Sequence, residues 1–186
     1  MIYLDKMSIY EPSEDSYLLQ KILKEKIPNL LKRNSQLKVL EIGSGSGVQL
    51  VILQQLGVKN IFSSDINPHA VEQCTKLGFN CIKSDLFFNI KSKDKYDIII
   101  FNPPYLPEDK REPAESKLAT NGGKTGSEII KKFLQQAKDF LKKDGKIFLI
   151  TSNLTKGIKW LNYKKKLLGT EKLFMEELSV REVWIN

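Results

Sequence analysis

Histidine is nearly absent from this chain of 186 residues: His69 is the only one. It falls in a predicted helix and reads as a surface or packing residue rather than a catalyst. Cysteine is scarce too, limited to Cys74 and Cys81. That pair is too far apart for a Cys-x-x-Cys motif and too small for a zinc site, so it reads as two buried free thiols. No metal is expected. Arginine is also rare. Arg33, Arg111 and Arg181 stand in a chain of net charge +8 whose other basic residues are lysine. Arginine's planar fork is the better phosphate clamp. A lysine excess spread along the chain reads as a solvated surface, compatible with RNA or the ribosomal apparatus without demonstrating either. No apolar run reaches the roughly 18 residues of a membrane span. Met1 to Glu14 carries Asp5, Lys6, Glu11 and Pro12 where a signal peptide is apolar. A cytoplasmic protein with no membrane attachment is expected.

Repeats and low-complexity blocks are missing as well. What is present is an ordinary globular composition, 41% hydrophobic and 28% charged. The length suits one domain over 1–186, with 1–35 as a helical segment packed on it. Short β-branched runs alternate with helical patterns, which predicts an α/β fold around a mostly parallel sheet with helices on both faces. Ser13 is placed to cap a first helix running to about Arg33. Strands are predicted at Lys38–Ile42, Asn60–Ser64, Asn80–Lys83, Tyr96–Phe101, Lys146–Thr151 and Glu177–Ile185. Helices are predicted from the glycine loop to Leu56, from Pro68 to Leu77, and from Thr125 to Leu141. Two readings stay open near the C-terminus. Thr155–Leu168 is one helix, or a short helix to Leu161 is followed by a strand near Tyr163–Leu168.

Ligands of open α/β sheets bind beyond the carboxyl ends of the strands. Four motifs follow predicted strands and are therefore expected at one edge. Glu41-Ile42-Gly43-Ser44-Gly45-Ser46-Gly47 is a glycine loop that lets backbone approach a ligand, with a helix N-terminus behind it. A dinucleotide fingerprint needs its third glycine at Val48; here it comes one residue early, at Gly47, with an acid ahead of the loop. Asp65, with Ile66 beside it, ends the second strand and suits a ribose diol. Its other reading is a cap for the helix that Pro68 begins, a role open equally to Asn67. Asp85 suits an exocyclic adenine amine, and the backbone N–H of Leu86 a ring nitrogen. Asn102-Pro103-Pro104-Tyr105 offers a side-chain oxygen and the Pro103 carbonyl as two acceptors for the hydrogens of an NH₂ group. Paired prolines stiffen that backbone, and Tyr105 offers a face to a flat group.

The glycine-loop spacing resembles the Glu/Asp-x-Gly-x-Gly-x-Gly loop of class I S-adenosylmethionine methyltransferases. Asn102–Tyr105 resembles the motif of those that methylate planar nitrogen. Two further stretches, Ile9-Tyr10-Glu11-Pro12-Ser13-Glu14-Asp15-Ser16 and Ala119-Thr120-Asn121-Gly122-Gly123-Lys124-Thr125-Gly126, are similar to segments of the HemK-type protein-glutamine methyltransferases. Lys172-Leu173-Phe174-Met175-Glu176-Glu177-Leu178 is similar to a stretch in archaeal members. The chain thus resembles the short archaeal and eukaryotic kind. The resemblance implies a Rossmann-like, seven-stranded class I domain and S-adenosylmethionine as donor. Glu14 and Asp15 are then expected near the donor and the catalytic loop; by residue type alone they are only first-turn helix acids. Expected donor contacts are Glu14, Asp15, Glu41, Gly43, Gly45, Gly47, Asp65, Ile66, Asp85, Leu86 and Asn102. Expected substrate contacts are Asn102, Pro103, Pro104 and Tyr105, with Asn102, Pro103 and Tyr105 serving the reaction.

The implied substrate is the glutamine of the Gly-Gly-Gln loop in class 1 translation release factors. The implied partner is a small zinc-binding activator forming a heterodimer, expected at a sheet edge or apolar face near the glycine loop and second strand (Ile61, Phe62). Two other readings remain. An RNA or DNA base amino-group methyltransferase uses the same motif, although such enzymes usually carry an added nucleic-acid-binding domain for which this chain has no room. A catalytically silent binding subunit is the third, opposed by the intact motifs.

Overall fold

The computed structural model describes residues 9–109, 111–113 and 116–185. The first eight residues of the Met1–Glu14 stretch, and of the expected domain, lie outside the described residues. Seven strands form one sheet in the order β3-β2-β1-β4-β5-β7-β6. They are β1 (Lys38–Ile42), β2 (Asn60–Asp65), β3 (Asn80–Lys83), β4 (Tyr96–Phe101), β5 (Leu141–Ser152), β6 (Tyr163–Lys172) and β7 (Glu177–Ile185). The β3-β2-β1-β4-β5 run is parallel. β7 is antiparallel to β5 and β6. Strand order reverses between β1 and β4, where a doubly wound sheet opens its crevice.

The strands at the centre are apolar on both faces because both faces are covered. Leu40, Ile42, Ile99, Phe101, Ile147 and Leu149 pack against Ile130, Phe133, Leu134 and Ala137 of helix α5 (Glu128–Ala137). Val39, Ile98, Ile100, Phe148 and Ile150 pack against Leu19, Leu23 and Ile27 of α1 (Glu14–Arg33) and Leu53 of α2 (Val48–Gln55). Alternation along each strand sends successive side chains to opposite layers. Helix α3 (Pro68–Lys76) begins as the proline predicts, and Asn67 caps it: its Oδ1 accepts from the His69 N–H at 3.0 Å. Ser13 occupies the N-cap position of α1 without capping it, its hydroxyl bonding the Glu14 carboxylate instead.

Four expectations are corrected. The helix expected to reach Leu141 stops at Ala137, and β5 begins at Leu141, not Lys146. The reason is tertiary: the Tyr96 N–H takes the Phe140 carbonyl at 2.9 Å, and Phe140 and Leu141 are buried in the core. No helix forms over 155–162, and only the strand part of the second reading holds, extended to Lys172. The Thr155 hydroxyl binds the Tyr105 carbonyl, and Ile158 and Trp160 pack on the core, contacts that a helix of that composition does not make. A short helix, α4 (Lys117–Thr120), stands within the stretch read as loop. Cys74 is buried but Cys81 only half-buried, and both are free. At the region expected to dock a partner, β2 is hydrogen-bonded on both sides, by β1 and β3, so Ile61 and Phe62 present a sheet face rather than an edge. The edge strands among the described residues are β3 and β6.

Candidate active site

The carboxyl ends of β1, β2, β3 and β4 open on one cavity. Glu41, Gly43 and Gly45 line it after β1, Asp65 and Ile66 after β2, Asp85 and Leu86 after β3. Asn102, Pro103 and Pro104 line it after β4, and Asp15 closes it from α1. The remaining candidates stand back from the wall. Glu14 is exposed and outside the lining, and Gly47 and Tyr105 flank it.

The glycine loop turns through left-handed backbone, with φ of 70° at Gly43, 51° at Gly45 and 82° at Gly47. Gly47 starts α2, and a Cβ there would lie 3.0 Å from Leu77 Cδ1 and 3.2 Å from Cys74 Sγ. Asp65 pins this loop to β2: its carboxylate accepts from the Gly45 N–H at 2.9 Å and the Asn67 N–H at 2.8 Å. Burial raises the Asp65 pKa, and those N–H donors oppose the rise. Glu41 is fully buried; desolvation, then the Asp65 charge, push its pKa well above the usual carboxylate range. Asp85 is exposed, and Leu86 has a φ of 47° that turns the chain after β3.

The Asn102–Tyr105 loop is held from three directions. The Tyr105 hydroxyl donates to Asp15 Oδ2 at 3.1 Å, and the Tyr10 hydroxyl donates to the same carboxylate at 2.9 Å. Burial, then the Asp15 charge, keeps the Tyr105 phenol protonated far beyond its ordinary range. The Thr155 hydroxyl donates to the Tyr105 carbonyl at 2.7 Å. Beneath lies the glycine turn after α4. A Cβ at Gly122 would stand 2.6 Å from the Pro104 carbonyl oxygen, so only glycine lets the two backbones meet. The Gly122 N–H and the Leu106 carbonyl lock that approach at 2.9 Å.

Four buried side-chain oxygens among the described residues have no hydrogen-bond partner: Glu41 Oε2, Gln49 Oε1, Asn102 Oδ1 and Glu176 Oε1. Glu41, Gln49 and Asn102 belong to the cavity wall. Buried acceptors are normally satisfied, so their concentration here marks a ligand's donors. Sequence reasoning missed Gln49. Its Nε2 donates to the Ser16 carbonyl at 2.9 Å, which fixes the amide and turns Oε1 away from that oxygen. The one signal was a lone amide at the head of the apolar run Val48–Leu53. Tyr10 and Ser16 were quoted only as part of a motif; both line the cavity.

Residues 75–185 match the family model described as Eco57I restriction-modification methylase, and 22–103 that of ribosomal protein L11 methyltransferase. A putative protein N5-glutamine methyltransferase of Methanocaldococcus jannaschii is 36% identical, over 95% of this chain and 91% of its own. Human methyltransferase HEMK2 is 30% identical over 77% of this chain and 71% of its own. The chain belongs to the HemK-type protein-glutamine methyltransferases. Among solved structures, the E. cuniculi Mtq2–Trm112 complex, described as responsible for methylating the termination factor eRF1, superposes with a TM-score of 0.71. It shares 26% identity and covers 97% of this chain and 100% of that one.

S-adenosylmethionine is the methyl donor of this methyltransferase, and the cavity fits it. A wall of Asp65, Asp85 and three unpartnered acceptors suits that ligand's positive sulfonium and its hydrogen-bond donors, the ammonium, the ribose diol and the adenine amine.

Proposed function

We propose that this methyltransferase acts on the side-chain amide nitrogen of the glutamine in the Gly-Gly-Gln loop of a class 1 peptide chain release factor. One observation carries the chemistry: Asn102 Oδ1, buried at the mouth of the cavity with no partner of its own. An amide nitrogen is a poor nucleophile because its lone pair is delocalised into the carbonyl. Asn102 Oδ1 and the Pro103 carbonyl accept its two N–H groups and turn the lone pair toward the donor. The donor supplies an electrophilic methyl on sulfur. As the N–C bond forms, the C–S bond breaks and its electrons leave with the sulfur; one amide proton then departs to solvent. No base is needed, so the protein's work is alignment and charge matching. Tyr105, held by Asp15, presents its ring to the flat amide. Glu41, Gln49, Asp65, Asp85 and the glycine loop hold the donor.

A small zinc-binding subunit is the proposed partner, in keeping with the complex in which the Mtq2 relative was solved. β3 has a free edge, and the sheet face over Leu40, Phe62, Ile82 and Tyr96 forms an open groove. Phe88, 84% exposed, stands beside it. Strand addition uses such edges. A release-factor substrate places the reaction in the cytoplasm; no helix among the described residues is long and apolar enough to cross a membrane.

The test is to incubate the protein with methyl-labelled donor and separate release-factor and RNA pools. Label on the release-factor glutamine supports the reading. Label in RNA instead overturns it.

A further inference from the structure

The connection between β6 and β7 carries two large apolar residues at its centre. The Leu173 N–H donates to the Glu176 carbonyl at 2.7 Å, leaving Phe174 and Met175 at the centre. Tight hairpin turns select Asn, Gly or Asp, whose backbone tolerates positive φ. Neither central residue here has positive φ, so turn geometry asks for no special residue. Yet Phe174 is 100% exposed and Met175 78%. Two large apolar side chains at a loop tip lose burial and contribute nothing to folding, which marks a contact surface.

The tip is continuous with the reaction site. Asn153 anchors it, its N–H donating to the Glu177 carbonyl at 3.0 Å and its Oδ1 accepting from the Glu177 N–H at 2.9 Å. Leu173 packs with Tyr105 on one apolar cluster, and the Glu176 charge is among those that raise the Tyr105 phenol. Two residues after Asn153, Thr155 holds the Tyr105 carbonyl. Leu154 adds a third exposed apolar side chain beside the tip. Glu176 Oε1 is the unpartnered buried acceptor that does not belong to the donor cavity.

We propose that Phe174 and Met175 form the lip on which the polypeptide flanking the target glutamine docks, with Glu176 Oε1 taking one of its backbone N–H groups. The inference rests on the release-factor reading above and adds where that protein is gripped. An apolar pair beside a carboxylate acceptor fits a polypeptide, which brings apolar side chains and N–H donors together. A nucleic acid would set phosphates against Glu176 and Glu177.

The test is a Phe174→Ser, Met175→Ser double variant, which removes no buried contact and is co-expressed with the partner like the wild type. Three quantities are measured: calorimetric binding of S-adenosylhomocysteine, KM and kcat for an intact release factor, and kcat/KM for a short Gly-Gly-Gln peptide. The expected result is a KM for the release factor raised on the order of tenfold or more. kcat, homocysteine-product binding and peptide turnover stay unchanged. An unchanged KM for the release factor overturns the inference, and so does a raised KM accompanied by loss of the partner or of a self-associated form. An equal loss on the peptide overturns it too, because the lip would then act within the reaction site. If the wild type binds S-adenosylhomocysteine but methylates no release factor, the substrate reading falls and takes this inference with it.

Discussion

Replacing Asn102 by alanine separates stability from catalysis in a way few active-site changes do. In most proteins the loss of a buried polar side chain strands its partner and destabilises the fold. Asn102 Oδ1 has no partner to strand. A buried acceptor left unsatisfied costs about 1–3 kcal/mol, so deleting it relieves a penalty that the small void left behind only partly restores. The net effect on stability is expected between zero and about +1 kcal/mol. For a chain of this size that is a melting temperature unchanged or raised by roughly 2–4 °C. Catalysis moves the other way. One of two acceptors that orient the substrate amide is gone, and a lost alignment contact of this kind costs on the order of 10²-fold in rate, about 2.7 kcal/mol of transition-state stabilisation. Thermal unfolding followed by circular dichroism gives the first quantity, and single-turnover transfer to the release factor gives the second. S-adenosylhomocysteine affinity should stay close to wild type. Transfer at the wild-type rate would refute the mechanism. A melting temperature lowered by 5 °C or more would refute the claim that Oδ1 lacks a partner, the threshold being about twice the shift expected for 1 kcal/mol.

Asp65→Ala should weaken S-adenosylhomocysteine binding by roughly tenfold or more, because it frees the Gly45 N–H as well as removing an acceptor from the cavity; calorimetry with an unchanged Kd would remove Asp65 from the donor site. Gly122→Ala should abolish most turnover while leaving donor binding intact, since its Cβ would stand 2.6 Å from the Pro104 carbonyl and push the substrate loop aside; wild-type kcat would show the turn to be yielding. Glu41, whose folded pKa lies well above 4.5, binds a proton in the folded state that the unfolded state has released. The ligand-free protein should therefore lose stability as pH rises from about 4.5 through the folded pKa, and Glu41→Gln should flatten that slope in denaturant titrations. Parallel slopes in both proteins would assign the pH dependence elsewhere.

How much of this was legible in the sequence depended on range. β1, β3, β4 and β7 were read to the residue, because a β-branched run bounded by turn residues is a local signal. So were the glycine loop, Asp65, Asp85 and Asn102 as neighbours, because each closes a strand of one parallel sheet and topology does the rest. Reading failed where distant partners decide. Leu141 follows a helix-compatible stretch, but β4 claims its backbone. Residues 155–162 have helical composition, but Thr155 is recruited by Tyr105, 50 positions earlier. Asp15 shows the same limit at the site. By residue type it stood only for a helix-dipole contact, and the family resemblance alone put it beside the Asn102–Tyr105 loop; in the fold it holds the hydroxyl of Tyr105, 90 positions away.

That distant tie also explains why the start of α1 belongs to the site. The Asn102–Tyr105 loop after β4 carries two prolines and cannot be fastened by its own backbone N–H groups at Pro103 and Pro104. Its restraint must come from side chains and carbonyls, and the structure supplies both. Asp15 takes the Tyr105 hydroxyl, Thr155 takes the Tyr105 carbonyl, and the Leu106 N–H and carbonyl pair with Thr120 and Gly122. Each fastening lies outside the Asn102–Pro104 segment that faces the cavity. The acceptors of that segment therefore stay unoccupied while the segment itself stays fixed, the condition under which an oriented acceptor can act on a poor nucleophile without first reorganising.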